Sequence, residues 1–252
     1  MGIIGGTVGY QILRRIGKDG TVELTDSSSY VDRSKTEALL GKQIWDEIAG
    51  KTVIDFGCGI GGNSIEMARR GAGKVIGIDI QDRWLSIAAE QAERSGVTDR
   101  CKFLKNTEER ADVIVALDSF EHFENPGEVL RQMSQLLKPN GCIRAAFGPT
   151  WLHPLGGHLF SVFPWAHLIF TENALIRWRA DFKTDGATRF GEIDGGLNQL
   201  TIRHFKRLVE DSPLRIAEFE TLPIRQLRPL ANRFTRELTT SIVRCKLIPK
   251  SQ

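Results

Sequence analysis

Residues 53–62 read VIDFGCGIGG, a run of strand character that enters a glycine turn and passes at once into a helical pattern. At such a junction the bare backbone can approach a ligand closely while helix-terminal N–H groups point at it, so the chain is limited to folds in which a strand ends at a binding crevice. The residues downstream continue the theme. Strand-like runs at 75–80, 101–104, 111–117 and 142–147 alternate with helical runs at 63–70, 83–94 and 126–137, the last opened by Asn125 as N-cap and Pro126 at the first helical position. Strands and helices alternating at these lengths predict a parallel sheet covered on both faces.

Upstream, residues 34–49 place Leu39, Leu40, Ile44, Trp45 and Ile48 at helical spacing, with Gly50 as the stop. After Gly148 the regularity breaks. Residues 149–199 supply aromatics, glycines, prolines and three histidines without a clear period, which predicts an insertion over the carboxyl edge of the sheet. A helix at 201–210 and strands at 214–222 and 238–248 follow, the last two lacking a crossover helix between them and therefore expected to be antiparallel. The expected architecture is a Rossmann-like, doubly wound α/β fold with a mainly parallel seven-stranded sheet and an antiparallel last strand. It is expected as a single domain, with an N-terminal cap (1–50), a core (51–148), the insertion (149–199) and a C-terminal helix and strands (200–252).

Composition narrows the class further. With 252 residues, 41% hydrophobic and 26% charged, the chain has the balance of a soluble globular protein, and no run approaches the roughly 20 apolar residues needed to cross a bilayer. Its start lacks the charged beginning, long apolar middle and cleavage site of a signal peptide, so a cytoplasmic location is the expectation. Cys58, Cys101, Cys142 and Cys245 are dispersed, with no CxxC pair, and suggest neither a zinc site nor a disulfide framework. From Leu200 to Gln252 there are 11 Lys+Arg against 5 Asp+Glu, which leaves +6 there out of a net +3. An anionic partner is one reading of that asymmetry and a solvated face is the other.

The glycine turn admits two ligands. Gly57, Gly59 and Gly62 satisfy the GxGxxG dinucleotide fingerprint, and Asp79 stands where an acid would hold a ribose hydroxyl pair. Asp55 argues against that reading, because a carboxylate beside the turn repels a pyrophosphate and welcomes a cation. The run from Asp55 to Gly62, the GID of the next strand, LDSFEHF after the fourth and LLKPNGCIRAAF together resemble the class I S-adenosylmethionine-dependent methyltransferases, especially the small-molecule group with a DxxEH signature. The resemblance is strong over residues 53–147 and weak beyond. It implies S-adenosylmethionine as cofactor, with Asp55, Gly57, Cys58 and Gly59 around its methionine portion and Asp79 on the ribose hydroxyls. Ile80 would pack on adenine, and Asp118 and Ser119 would lie near the methyl end. The sequence departs from the family after the third strand, where Thr107 stands in place of the usual acid at the adenine edge.

For catalysis the candidates are His158, His153 and His122, since an imidazole can take a proton from an oxygen or nitrogen nucleophile near neutral pH. Each has a plainer reading, as an internal hydrogen-bonding group of its loop. His153 and His158 with an acid could also form a metal site, but the spacing is irregular and no metal is expected. The run HLFSVFPWAHLIF is expected to line a hydrophobic pocket in part, with simple packing or a homodimer contact as alternatives. Arg177 and Arg179 beside Trp178 suggest an acidic substrate group or peripheral membrane contact. Tyr30 falls in a segment that covers the cofactor in many relatives. The expected function is methyl transfer to a small, partly hydrophobic acceptor, O-methylation favoured, with no nucleic-acid partner. An RNA or protein methyltransferase and a non-catalytic, cofactor-binding assembly protein are the rivals.

Overall fold

A computed structural model describes residues 2–17, 34–193 and 195–250; Tyr30 lies outside them. Five strands form first in chain order: β1 (Thr52–Phe56), β2 (Lys74–Ile78), β3 (Cys101–Leu104), β4 (Ala111–Leu117) and β5 (Leu137–Phe147). They are followed by β6 (Leu214–Pro223) and β7 (Thr240–Pro249). One seven-stranded sheet results, in the order β3-β2-β1-β4-β5-β7-β6, with β7 antiparallel to both neighbours. The expected topology is thus present, and both closing strands pair as foreseen.

Period-two alternation within each strand divides the core between the sheet's two faces. Ile54, Ile76, Ile114 and Ile143 point to one side, where α6 (Pro126–Gln135) and α9 (Ile202–Glu210) cover them with Leu130, Met133 and Phe205. Val53, Val75, Val113 and Ala146 point to the other, under α4 (Gly62–Arg69) and α5 (Asp82–Arg94), which contribute Met67 and Ala92. Burial on both sides is why these strands read as almost unbroken apolar runs. The cap proposed for α6 is in place, the Asn125 side chain accepting the Glu128 N–H at 3.2 Å.

The helix expected over 34–49 is two helices, α2 (Lys35–Leu40) and α3 (Ile44–Ile48). Gly41 separates them at φ +85°, its N–H still closing onto Glu37 O, so it terminates α2 where a side chain would be strained. Leu39, Leu40, Ile44 and Ile48 are nonetheless all buried against the sheet.

The N-terminal segment forms α1 (Gly6–Ile16), and the insertion holds α7 (Ala166–Ile169) and α8 (Glu172–Arg179). α1 packs on α8, where Gly9 approaches Ala174 and the Tyr10 hydroxyl donates to Asp181 at 3.0 Å. Tyr10 and Leu13 join Trp151, Phe160, Phe170 and Trp178 in a third apolar cluster, separate from the two that flank the sheet. Among the described residues no helix is long and apolar enough to cross a membrane.

Candidate active site

The turn after β1 is held from below by backbone. The N–H groups of Gly57 and Cys58 both donate to Ile78 O at 2.8 and 2.9 Å, which fixes the turn against the end of β2. Gly57 (φ +82°) and Gly59 (φ +52°) occupy conformations that disfavour any side chain. A methyl group on Gly57 would come within 3.0 Å of Ser119 Cβ, so the turn after β1 and the loop after β4 abut. On Gly59 or Gly62 the same methyl would meet no atom of the described residues within 4 Å, and among them the upper surface of the turn is an open cradle.

Acidic groups surround that cradle. Asp79 accepts the Gly59 N–H at 3.0 Å on one oxygen and the Gln81 N–H at 2.9 Å on the other, so it bridges the turn to the end of β2. Asp55 lies underneath, 1% exposed, and accepts the Ser64 hydroxyl of α4 at 2.6 Å. Burial pushes its carboxyl up to about 6 against the pull of Ser64 and Lys35, with Asp79 adding to the rise. A cation above the turn would relieve that cost. Cys58 is buried beside both acids, its thiol pushed up by desolvation first and by their charge second.

The loop after β4 carries the remaining predicted residues. Asp118 sits at φ +48° and pairs with Lys35 Nζ of α2 at 2.8 Å. Its other oxygen and the Ser119 hydroxyl are buried without a hydrogen-bond partner among the described residues. Buried polar atoms of this kind are costly unless a ligand meets them. Together with the open cradle, they show that these residues fit a cationic amino-acid group such as the methionine portion of S-adenosylmethionine. Ile80, just past β2, is 85% exposed, and Thr107 accepts the Glu109 N–H at 3.1 Å beyond β3.

Glu121 is buried and accepts the Gly148 N–H at 3.0 Å on one oxygen, while the other has no partner among the described residues. Desolvation, then the nearby Asp118 charge, pushes its carboxyl up to about 8, and the group is largely protonated at neutral pH. His122 Nδ1 lies 2.9 Å from Gly196 O. A carbonyl only accepts, so Nδ1 carries a proton, and in the neutral ring the lone pair is on Nε2.

The structure brings two of the three candidate histidines together. The rings of His122 and His158 stand 5.2 Å apart, nearly perpendicular, and His158 is held at φ +50° with Nε2 buried and unpartnered among the described residues. Burial first and the neighbouring histidines second lower its imidazole to about 4, so it is neutral near pH 7. His153 differs, because its Nδ1 already accepts the Leu155 N–H at 2.9 Å and its lone pair is committed to the turn. No cluster of three His, Cys, Asp or Glu suited to a metal occurs among the described residues.

Three contacts around the candidate site carry no signal in the sequence. Ser64 and Lys35 are ordinary helix residues by pattern, and nothing in a linear sequence joins them to Asp55 or Asp118. Asn198 donates to Phe120 O and Phe123 O at 2.6 and 2.8 Å and so clips the insertion's last segment onto the loop that bears His122. His167 also proves internal: Nε2 donates to Trp151 O at 2.7 Å and Nδ1 accepts from Ser161 Oγ at 3.0 Å, all of it buried.

Known proteins share this fold. The magnesium protoporphyrin IX methyltransferase of Synechocystis PCC 6803, crystallised with bound SAM, superposes with a TM-score of 0.55 at 17% identity, over 97% of this chain and 92% of its own. Geranyl diphosphate C-methyltransferase from Streptomyces coelicolor A3(2) gives 0.55 at 17% identity, over 81% of this chain and 76% of its own. In sequence, the ribosomal protein L11 methyltransferase of Escherichia coli is 45% identical over 74 residues, 28% of this chain. The match spans only 25% of that relative's length. The family profile described as a methyltransferase domain matches residues 30–212, more than two thirds of the protein. The chain belongs to this methyltransferase domain family, and its seven-stranded sheet is that of the class I S-adenosylmethionine-dependent enzymes.

Proposed function

We propose that the protein transfers the methyl group of S-adenosylmethionine to an oxygen of a small, partly hydrophobic acceptor. The observation that carries this reading is the His122–His158 pair beside the loop of Asp118 and Ser119. When bound, the cofactor supplies an electrophilic sulfonium methyl. Asp79 would hold its ribose hydroxyls, Gly57 and Gly59 would lie along its methionine portion, and Asp118 and Ser119 would meet the ammonium with their unpartnered oxygens. Asp55 contributes its charge from beneath, since Ser64 already occupies its carboxylate. Cys58 packs under the turn, Ile80 offers an apolar face to adenine and Thr107 its edge.

His122 is the better base of the pair, because Gly196 O fixes the tautomer that leaves Nε2 free to take an acceptor proton. His158, neutral and too weakly basic to hold a proton at pH 7, suits a hydrogen bond that orients the acceptor hydroxyl. His153 enters as a wall of the pocket. His158 opens the short turn that ends in Phe160, whose ring packs with Phe190 and, through it, Trp151 in a buried aromatic cluster, and an acceptor with an apolar body suits a site bounded by that cluster.

The test is transfer of labelled methyl groups to pooled hydroxylated and phenolic acceptors. His122→Ala is expected to lower kcat by about 10²- to 10⁴-fold, the usual range for a general base, without altering cofactor affinity. Turnover unchanged in both His122→Ala and His158→Ala would remove the pair from the mechanism. Labelling confined to a protein substrate would favour the reading suggested by the local likeness to the ribosomal protein L11 methyltransferase.

A further inference from the structure

Between β6 and β7 the chain leaves the sheet at the carboxyl edge, the edge that also carries the cofactor turn. The excursion opens with a 3-10 turn (Arg225–Leu230), none of it buried, and closes with α10 (Arg236–Thr239). Leu230, Phe234 and Leu238 are 61%, 80% and 41% exposed. The segment is nevertheless shaped: Asn232 Oδ1 accepts the N–H groups of Phe234 and Thr235, the Thr235 hydroxyl donates to Leu230 O at 2.6 Å, and Ile224 N–H donates to Thr239 O at 2.8 Å.

Its charge is one-sided. Arg225, Arg228 and Arg233 are exposed and Arg236 half-buried, and none of the four forms an ion pair among the described residues. The Arg233 guanidinium lies 4.7 Å over the Phe234 ring, which leaves its positive charge at the apolar tip. Glu237 is the stretch's one acid, and its two oxygens accept the N–H groups of Ile202 and Arg203 at 3.0 and 2.8 Å. It caps α9 and so is committed away from the arginines. Behind the excursion Lys206 adds a further cation, held below its ordinary range by desolvation and by Arg236.

We propose that residues 224–238 dock the protein on an anionic lipid surface, with Leu230 and Phe234 entering the interfacial layer and Arg225, Arg228 and Arg233 meeting the phosphate headgroups. A bilayer presents that combination, an apolar layer immediately beneath a negative one, and guanidinium side chains bridge the two by extending toward the headgroups. Exposed leucines offer nothing to a nucleic-acid backbone. The excursion also adjoins the site, because Gly148, whose N–H is held by Glu121, lies directly against Ser241 at the start of β7. On the proposed function, docking there would bring the crevice to the surface from which an apolar acceptor is drawn.

The test is flotation of the full chain with vesicles of phosphatidylcholine alone or with a minor share of phosphatidylglycerol, at low and high salt. Binding to the anionic vesicles only, weakened by salt, is expected. Joint replacement Leu230→Ser and Phe234→Ser should lower partitioning by at least tenfold. Arg228→Gln with Arg233→Gln should lower it by about fivefold per charge removed. Each variant is to be checked by its unfolding midpoint, which should match the parent because the side chains are exposed. No binding to anionic vesicles, equal binding to neutral ones, or binding indifferent to both variants would overturn the proposal. So would an RNA oligonucleotide that binds at these residues more tightly than the vesicles. Vesicle binding is read without methyl transfer, so its failure is distinct from failure of the proposed activity.

Discussion

The cofactor side and the insertion are built on different principles. Around the turn after β1, position is set by backbone: Gly57, Cys58 and Gly59 hang from Ile78 and Asp79, and the strands that end there have only two faces to fill. In the insertion, position is set by side chains. Trp151, Phe160, Phe170 and Trp178 pack with Tyr10 and Leu13 of a helix more than a hundred residues away, and Asn198 ties the result back to the loop after β4. A crevice made by backbone tolerates change in its surroundings. An aromatic cluster of this kind can be repacked without disturbing the turn, and different specificities can be carried on one fold in that way.

The sharpest way to break this contrast is to damage the aromatic cluster and ask whether the cofactor turn notices. Phe160 is fully buried and stacks near Phe190, and Phe160→Ala should cost about 3–5 kcal/mol of stability by cavity formation. Hydrogen exchange should quicken across α1 and α8 while S-adenosylhomocysteine still raises the unfolding temperature. Quickened exchange spread equally through β1, β2 and β4 would show that the two regions form one cooperative unit.

The reciprocal change strikes the turn. Asp79→Ala removes the acceptor of two backbone N–H groups and the expected ribose ligand, and charge-assisted hydrogen bonds are worth about 1.5–3 kcal/mol each. A loss of S-adenosylhomocysteine affinity of about 100-fold, with α1 and α8 unchanged in exchange, is the expected result by calorimetry. Full affinity in the variant would refute the ribose assignment.

The same contrast explains what was legible in the sequence. Residues 75–80 and 111–117 announce strands because burial on two faces imposes an apolar run, and Gly57 and Gly59 announce a turn because their φ values exclude side chains. Asp79 could be placed beside the turn, where it accepts the Gly59 N–H, because its spacing from the turn is fixed by the fold. α8 could not: Ala174, Leu175, Ile176 and Trp178 are all buried, so its apolar residues do not form the single stripe that marks a surface helix. α1 was hidden for a related reason, since its partner is the insertion and not the adjacent sheet. The split at Gly41 was obscured because the apolar spacing continues through it, and His122 and His158 could not be paired from positions 36 residues apart.

The clip between the regions offers a smaller effect. Asn198→Ala leaves Phe120 O and Phe123 O without their donor, a loss of roughly 1–3 kcal/mol. Since that loop carries His122, kcat should fall by about tenfold while cofactor affinity holds. A drop in affinity as large as the drop in kcat would mean that the clip supports the turn as well as the pocket.

The smallest effect is one of pH, and it isolates Glu121 at the seam between the regions. Its carboxyl is raised to about 8 in the folded chain from an ordinary value of 4.5, so the folded state holds a proton that the unfolded state has lost, and stability falls as pH rises through that interval. His153 and His158 act oppositely. Lowered to about 4 from 6.5, they make stability rise with pH, but only up to about 6.5. Asp55, raised to about 6, is ionised above that point. Between about 6.5 and 8 the slope therefore belongs chiefly to Glu121 and amounts to less than about 2 kcal/mol at roughly 1.4 kcal/mol per pH unit. Glu121→Gln keeps an oxygen for Gly148 N–H but cannot ionise, so its unfolding free energy should be flat across that window where the parent declines. Parallel pH curves for the two proteins would mean that Glu121 is already ionised at neutral pH, and the seam would then hold a buried charge and not a protonated carboxyl.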